Sequence, residues 1–429
     1  MALLSEQPEA HGLAATDLAR ALPTARAPAL GPMAIMLGAS VLLSSALFVV
    51  RPIANGHEYQ LGVRLTVLLS MIWGACTFRA RWLREPRFLA VIFAVGVYCM
   101  VSRPLTIKAD SEIVAAYGSA FAALDAGKNP YDSGTIVHFA ERGERELGNF
   151  NYPPLELVPY YAVAKLVGCW DHRVLTATLL IIQLAACALL WCTFPEAPPG
   201  VVLAFAPLLS CFELHTNVAF TLLAVAGLMF LLRPPPTGAP PRSEKLLTLA
   251  FGASLLTKFM IIPLFASYVV QRLPPRPWRA WRTAAPALGH AAAALLITLG
   301  LMLPFGVGNV LRETLLFNLV LSDRAKLTTF YPNVLSGTLT WLGAPAAFPA
   351  LAVLLLGAAV LYSRRLGLVH AMLSSGTVFL LVSPTPELQY IPVMVYLALW
   401  AALDAEFPRA ASAQRPATEL RRAGQQRSD

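Results

Sequence analysis

Apolar runs recur from residue 33 to residue 404, and they constrain this chain more than any other feature. They cover 33–50, 61–78, 88–102, 174–193, 200–213, 217–232, 246–258, 259–271, 285–303, 346–362, 368–382 and 389–404. Hydrophobic residues make up 57% of the chain and charged residues 13%, against about 25% charged in a soluble domain. So many apolar runs, in a chain too long for one span, describe an all-α polytopic membrane protein. The alternating strands of about ten residues that mark an outer-membrane barrel are absent.

Charge sets the expected topology. The formal net charge is +9, but Arg and Lys gather between apolar runs and in the tails rather than among aromatics. That distribution points to membrane orientation and away from nucleic acid. Segments 79–87, 233–245, 272–283 and 364–365 and the C-terminal tail are basic. Placing all of them inside predicts about twelve transmembrane helices with both termini cytoplasmic. Residues 1–32 then form a polar cytoplasmic tail, 33–404 the membrane domain, and 405–429 a basic cytoplasmic tail. The first run lacks an obvious small-residue cleavage site, so an uncleaved first span is expected. The six cysteines form no C-x-x-C pair and indicate neither a zinc site nor a disulfide framework.

This topology leaves two large outer-face regions, 103–173 and 304–345. Within the first, PPLELVPYYAVAKLVG (153–168) must be a juxtamembrane helix and not a crossing, as its prolines, Glu156 and Lys165 agree. The run 246–271 is read as two short helices. The alternative, one span with Lys258 in its middle, would make 153–168 a crossing.

The first outer region opens with TIKADSEIVAAYGSAFAALDAGKNPYD (106–132). Asp110, Ile113, Val114, Tyr117, Phe121 and Leu124 share one face of a helix that Gly127 can end. The stripe predicts a helix lying on the membrane surface. Asp110 suits an N-cap and Glu112 suits the first turn. A cap also exposes a carboxylate, so structural and chemical roles are compatible. Further polar groups sit at the expected outer ends of spans: Glu213, His215, Lys258, Arg324, Lys326 and Glu387. At membrane depth such groups usually face a bundle interior or cavity. Each also has a plain role open to it: a packed histidine, a snorkelling lysine, solvated loop cations. Carboxylates beside cations at an outer surface suit a lipid-linked phosphate and a hydroxyl nucleophile.

D-S-E-I-V-A-A-Y (110–117), G-K-N-P-Y-D (127–132) and Y-P-P-L (152–155), in that order, resemble the signature of family 87 glycosyltransferases. These belong to the C-type (GT-C) membrane glycosyltransferase superfamily and include polyprenyl-phosphate-mannose-dependent mannosyltransferases. His215-Thr216-Asn217 sits where such proteins often show Gln-x-Asn, Thr257-Lys258 resembles their Thr-Lys, and Ser383-Pro384 their late Ser-Pro. The likeness covers roughly 88–404, and the usual His after Ser-Pro is absent. It implies a GT-C fold in a bacterial inner membrane, with no metal or other cofactor required. The expected partners are the lipid bilayer, a polyprenyl-phosphate sugar and a lipid or glycan acceptor. It further implies inverting transfer of a hexose, mannose first, on the extracytoplasmic face. Asp110 becomes the expected general base. Lys258, Arg324 and Lys326 become candidates for the lipid phosphate. Glu112, Tyr117, Asn129, Tyr131, Tyr152, His215, Asn217, Glu387 and Gln389 become candidate substrate contacts. A lipid-linked polysaccharide ligase would be expected to carry its large outer loop late, and a transporter to show internal repeats.

Overall fold

The computed structural model describes residues 83–101, 112–139, 145–211, 219–233, 243–258, 260–274, 277, 281–315, 339, 342–382 and 391–407. The apolar runs at 33–50 and 61–78 lie outside them. The remaining runs are helices: α1 (Pro86–Val101), α4 (His172–Thr193), α5 (Pro199–Cys211), α6 (Ala219–Leu232), α7 (Glu244–Ser254), α8 (Ile261–Arg272), α9 (Trp281–Met302), α11 (Phe348–Tyr362), α12 (Leu368–Val382) and α13 (Ile391–Glu406). Between α1 and α4 come α2 (Glu112–Asp125), the hairpin strands β1 (Ile136–Phe139) and β2 (Arg145–Gly148), and α3 (Pro154–Val167). The short α10 (Val307–Leu311) follows a 3₁₀ turn after α9.

Among the described residues, three stretches are long and apolar enough to cross a membrane: His172–Thr193, Ala284–Phe305 and Phe348–Arg365. Their burial is inverted in the way lipid requires. Ile181, Leu184, Leu296, Val353 and Leu361 point outward, each more than 60% exposed. Thr176, Gln183 and Thr298 point inward and are buried. A water-soluble surface rarely presents such continuous apolar faces.

Local chemistry explains the boundaries. Asp171 caps α4, its Oδ1 accepting from the backbone N–H groups of Arg173 and Val174, both at 2.9 Å. Pro154 opens α3, and Gly168, at φ 80°, closes it. The run 246–271 is two helices, with a break of turns between Ser254 and Ile261 that holds Lys258. The hairpin is a departure from the all-helical expectation. It pairs antiparallel, with Ile136 opposite Gly148 and Val137 opposite Leu147.

The helix ends sort into two groups. At one end, Arg84 before α1 bonds Glu406 in the last turn of α13. Arg233 after α6 donates to the Thr193 carbonyl, to Glu196 at 3.1 Å and to the Phe407 carbonyl at 2.8 Å. Asp404 lies 3.7 Å from Arg233 and acts electrostatically on His370 at the start of α12. Gln271, near the end of α8, donates to the carbonyls of Ser363 and Leu366. Glu244 at the start of α7 meets Arg272 and His290. This is the basic end. At the opposite, loop end, α2, α3 and the hairpin pack on Leu175 of α4, Phe220 of α6, Leu256 after α7 and Met302 of α9.

Helices α7 and α9 cross at a glycine. A Cβ on Gly252 would stand 2.7 Å from the Ala294 carbonyl oxygen and 2.8 Å from Ile297. Thr298 Oγ1, 2.8 Å from the Gly252 carbonyl, fixes the same close approach. Small residues give membrane helices this contact. Gly252→Ala is therefore expected to lower stability by ~1–3 kcal/mol, the usual range for overpacking. A fall in the melting temperature of the purified protein checks it; an unchanged value would show that the crossing yields.

Candidate functional site

The site is assembled from the loop end. Helix α2 stops because Gly127 adopts φ 68°, with Lys128 N–H bonding the Ala123 carbonyl at 2.8 Å and Gly127 N–H that of Leu124 at 3.0 Å. The chain then turns at Asn129-Pro130. Asn129 Oδ1 accepts from Tyr131 N–H at 3.0 Å, while its Nδ2 donates to the Phe305 carbonyl at 2.7 Å. One asparagine thus shapes the turn and ties it to the segment after α9. Tyr131 is buried and donates its hydroxyl to the Tyr152 carbonyl at 2.7 Å. Burial, and then the Glu156 carboxylate, hold the Tyr131 phenol well above its ordinary range, so it remains a donor.

Lys258 occupies the break between α7 and α8. It is 8% exposed, and its Nζ lies 4.7 Å from the centre of the Tyr152 ring. Leu155 N–H reaches the Leu256 carbonyl at 3.3 Å and fastens the start of α3 to this break. Glu156, one residue on, is completely buried. Asn149 accepts from Gly134 N–H at 2.9 Å and donates to Glu313 Oε1 at 3.1 Å. Segment 149–156 thus touches both the α7–α8 break and the chain beyond α9. At the last residue of α2, Tyr161 and Lys165 both hold Asp125, each at 2.6 Å. Their contacts, Lys165 first, keep its carboxyl below the usual range.

Of the predicted site residues, Asn129, Tyr131, Tyr152 and Lys258 are brought together. Tyr117 is fully buried, its ring packing against Phe121, Phe150, Tyr152, Tyr160 and Trp170 at 5.2–6.1 Å. It packs in the same cluster as Tyr131 and Tyr152. Glu112 is the first residue of α2. Asp110, His215, Asn217, Arg324, Lys326, Glu387 and Gln389 lie outside the described residues.

One expectation is corrected. The apolar stripe of α2 does not face the bilayer. Ile113, Val114, Tyr117, Phe121 and Leu124 all pack within the protein, against α3, Trp170 and Phe150. Aromatic residues from α3 and the flanking loops cover the stripe before lipid can.

Glu156, Asn149, Asn151 and Glu313 were not predicted as site residues. The available signal for Glu156 was an acid in the first turn of a mostly apolar helix. Glu313 carried no signal, since its partner Asn149 is 164 residues away. Among the described residues, no three His, Cys, Asp or Glu side chains are grouped to hold a metal ion. No family model matches the chain, and neither a curated protein nor a solved structure matches it.

Proposed function

We propose that this chain is an integral-membrane glycosyltransferase of the C type, moving a hexose from a polyprenyl-phosphate donor to a lipid or glycan hydroxyl. Mannose is the first choice of sugar. The observation that carries the proposal is Lys258. A nearly buried ammonium, seated on the Tyr152 ring, stands where the first loop region meets a helix break next to membrane-spanning helices. A cation in that position suits a phosphate whose lipid tail lies in the bilayer.

The step is a single in-line displacement. The Asp110 carboxylate takes the proton of the acceptor hydroxyl as its oxygen attacks the anomeric carbon. The bond from that carbon to the phosphate oxygen breaks, and polyprenyl phosphate leaves with the electron pair. Lys258 balances the charge that develops on the leaving phosphate, with Arg324 and Lys326 as further cations. The sugar's configuration inverts.

In this proposal the loop end faces outward and the basic end faces the cytoplasm, in keeping with the positive-inside rule, and about twelve crossings complete the domain. The topology has its own test. Cys169, between α3 and α4, and Cys192, in the last turn of α4, are both exposed and lie at opposite ends. In single-cysteine variants in intact cells, a membrane-impermeant maleimide is expected to label Cys169 and spare Cys192. The reverse pattern would invert the protein and remove the extracytoplasmic site. The activity is tested by mass spectrometry of glycolipids from strains with and without the gene. Loss of a hexose-bearing lipid, with its unglycosylated precursor accumulating, is the expected result. Identical lipid profiles would count against the proposal.

A further inference from the structure

Segment 149–152, Asn-Phe-Asn-Tyr, joins two oppositely charged groups. At its first residue, Asn149 holds Glu313 by a hydrogen bond of 3.1 Å to Oε1. At its last, the Tyr152 ring seats Lys258. Three residue steps separate them, at most ~11 Å of chain. Phe150 between them is fully buried, and its ring packs edge-on against Tyr117, Tyr131 and Tyr152, so the segment is anchored.

Two acceptor atoms along this strip take part in no described contact. Glu313 is 8% exposed; its Oε1 accepts from Asn149 and lies 3.6 Å from Arg312, which leaves Oε2. Asn151 Oδ1 is buried and has no hydrogen-bond partner among the described residues. A buried acceptor without a donor is unfavourable, and native structures usually satisfy it. Glu313 is also fixed in place, since Asn149 is itself held by Gly134. Fixed acceptors at one end and a fixed cation at the other suit a ligand with hydroxyls at one end and an anion at the other.

We propose that Asn151 and Glu313 read the hydroxyls of the donor hexose, the phosphate of that same donor lying at Lys258. This rests on the transferase function proposed above. The charges set the register, because a phosphate placed at Glu313 would be repelled while one at Lys258 is attracted. A hexosyl phosphate carries hydroxyls at one end and an anion at the other. Its hydroxyls donate to Asn151 Oδ1 and Glu313 Oε2, satisfying both acceptors. Neither residue makes or breaks a bond in the reaction; they bind and orient the sugar.

The test compares binding of polyprenyl-phosphate mannose with binding of bare polyprenyl phosphate to the purified full-length protein in lipid nanodiscs. The wild type is expected to bind the sugar-bearing lipid about tenfold tighter, the combined effect of two modest hydrogen bonds. Glu313→Gln and Asn151→Ala are each expected to shrink that gap to about threefold. Affinity for the bare lipid and the melting temperature should stay unchanged. Asn151→Asp, which keeps an acceptor, should retain the gap. An undiminished gap in both Glu313→Gln and Asn151→Ala would overturn the inference, as would a wild type that binds both lipids equally. Should Glu313→Gln fail to fold, the two Asn151 variants decide. A wild type that shows the gap, with variants that narrow it, yet transfers no sugar, would uphold sugar reading and remove the transferase function instead.

Discussion

Asp110→Asn is expected to yield a folded, membrane-inserted protein that transfers sugar ~10²–10⁴ times more slowly than the wild type, the usual loss when a general base is removed. Asp110 stands two residues before Glu112, the first residue of α2. As an acid just ahead of α2 in the sequence, it has two roles open to it. As a cap it would stabilise α2 by ~1 kcal/mol and leave catalysis alone. As a base it must hold a carboxylate. Asp110→Ser separates the two, because serine caps well and is no base. The proposed function predicts that both variants lose transfer and that Asp110→Ser keeps the wild-type melting temperature. Transfer at the wild-type rate by either variant would leave capping as the whole role of Asp110.

Lys258→Met is the second large effect. Methionine has a similar length and no charge, so it keeps much of the packing on Tyr152 while removing the cation. If Lys258 neutralises the leaving phosphate, the rate should fall ~10²–10³-fold, as when one fixed donor to developing charge is lost. Stability should not fall in parallel, because replacing a buried charge by an apolar side chain is often neutral or stabilising. Lys258→Arg should recover part of the rate, since it restores the charge with a different shape. A lowered kcat with an unchanged melting temperature is the expected pair of results. Wild-type kcat and donor KM in Lys258→Met would remove Lys258 from the chemistry.

Much of this was legible in the residues, and the limits have physical causes. The stop of α2 at Gly127 and the turn at Asn129-Pro130 follow from local backbone preferences, which neighbours in sequence decide. The break in 246–271 is legible from charge, because a single span there would put the basic 233–245 loop on the outer face. The stripe on α2 was read correctly as a stripe and wrongly as a lipid face. An apolar face says that something covers it, not what; here Phe150, Tyr160 and Trp170, arriving from later in the chain, take that place. The hairpin was hidden by its composition. Strand IVHF is too short to show alternation, RELG carries Arg145 and Glu146, and Leu147 is 70% exposed opposite Val137. Contacts such as Asn149 with Glu313, or Asn129 with the Phe305 carbonyl, join segments more than 160 residues apart and leave no periodic trace.

The central claim is group transfer from a lipid-linked sugar, and the most direct measurement is a balance of products. Purified full-length protein is incubated with polyprenyl-phosphate mannose, radiolabelled in the sugar, and with bacterial membrane lipids. The prediction is a labelled product lipid and free polyprenyl phosphate formed in equal amounts, both absent with Asp110→Asn. Redistribution of intact polyprenyl-phosphate mannose across a vesicle membrane, with no free polyprenyl phosphate released, would contradict it and make the protein a carrier.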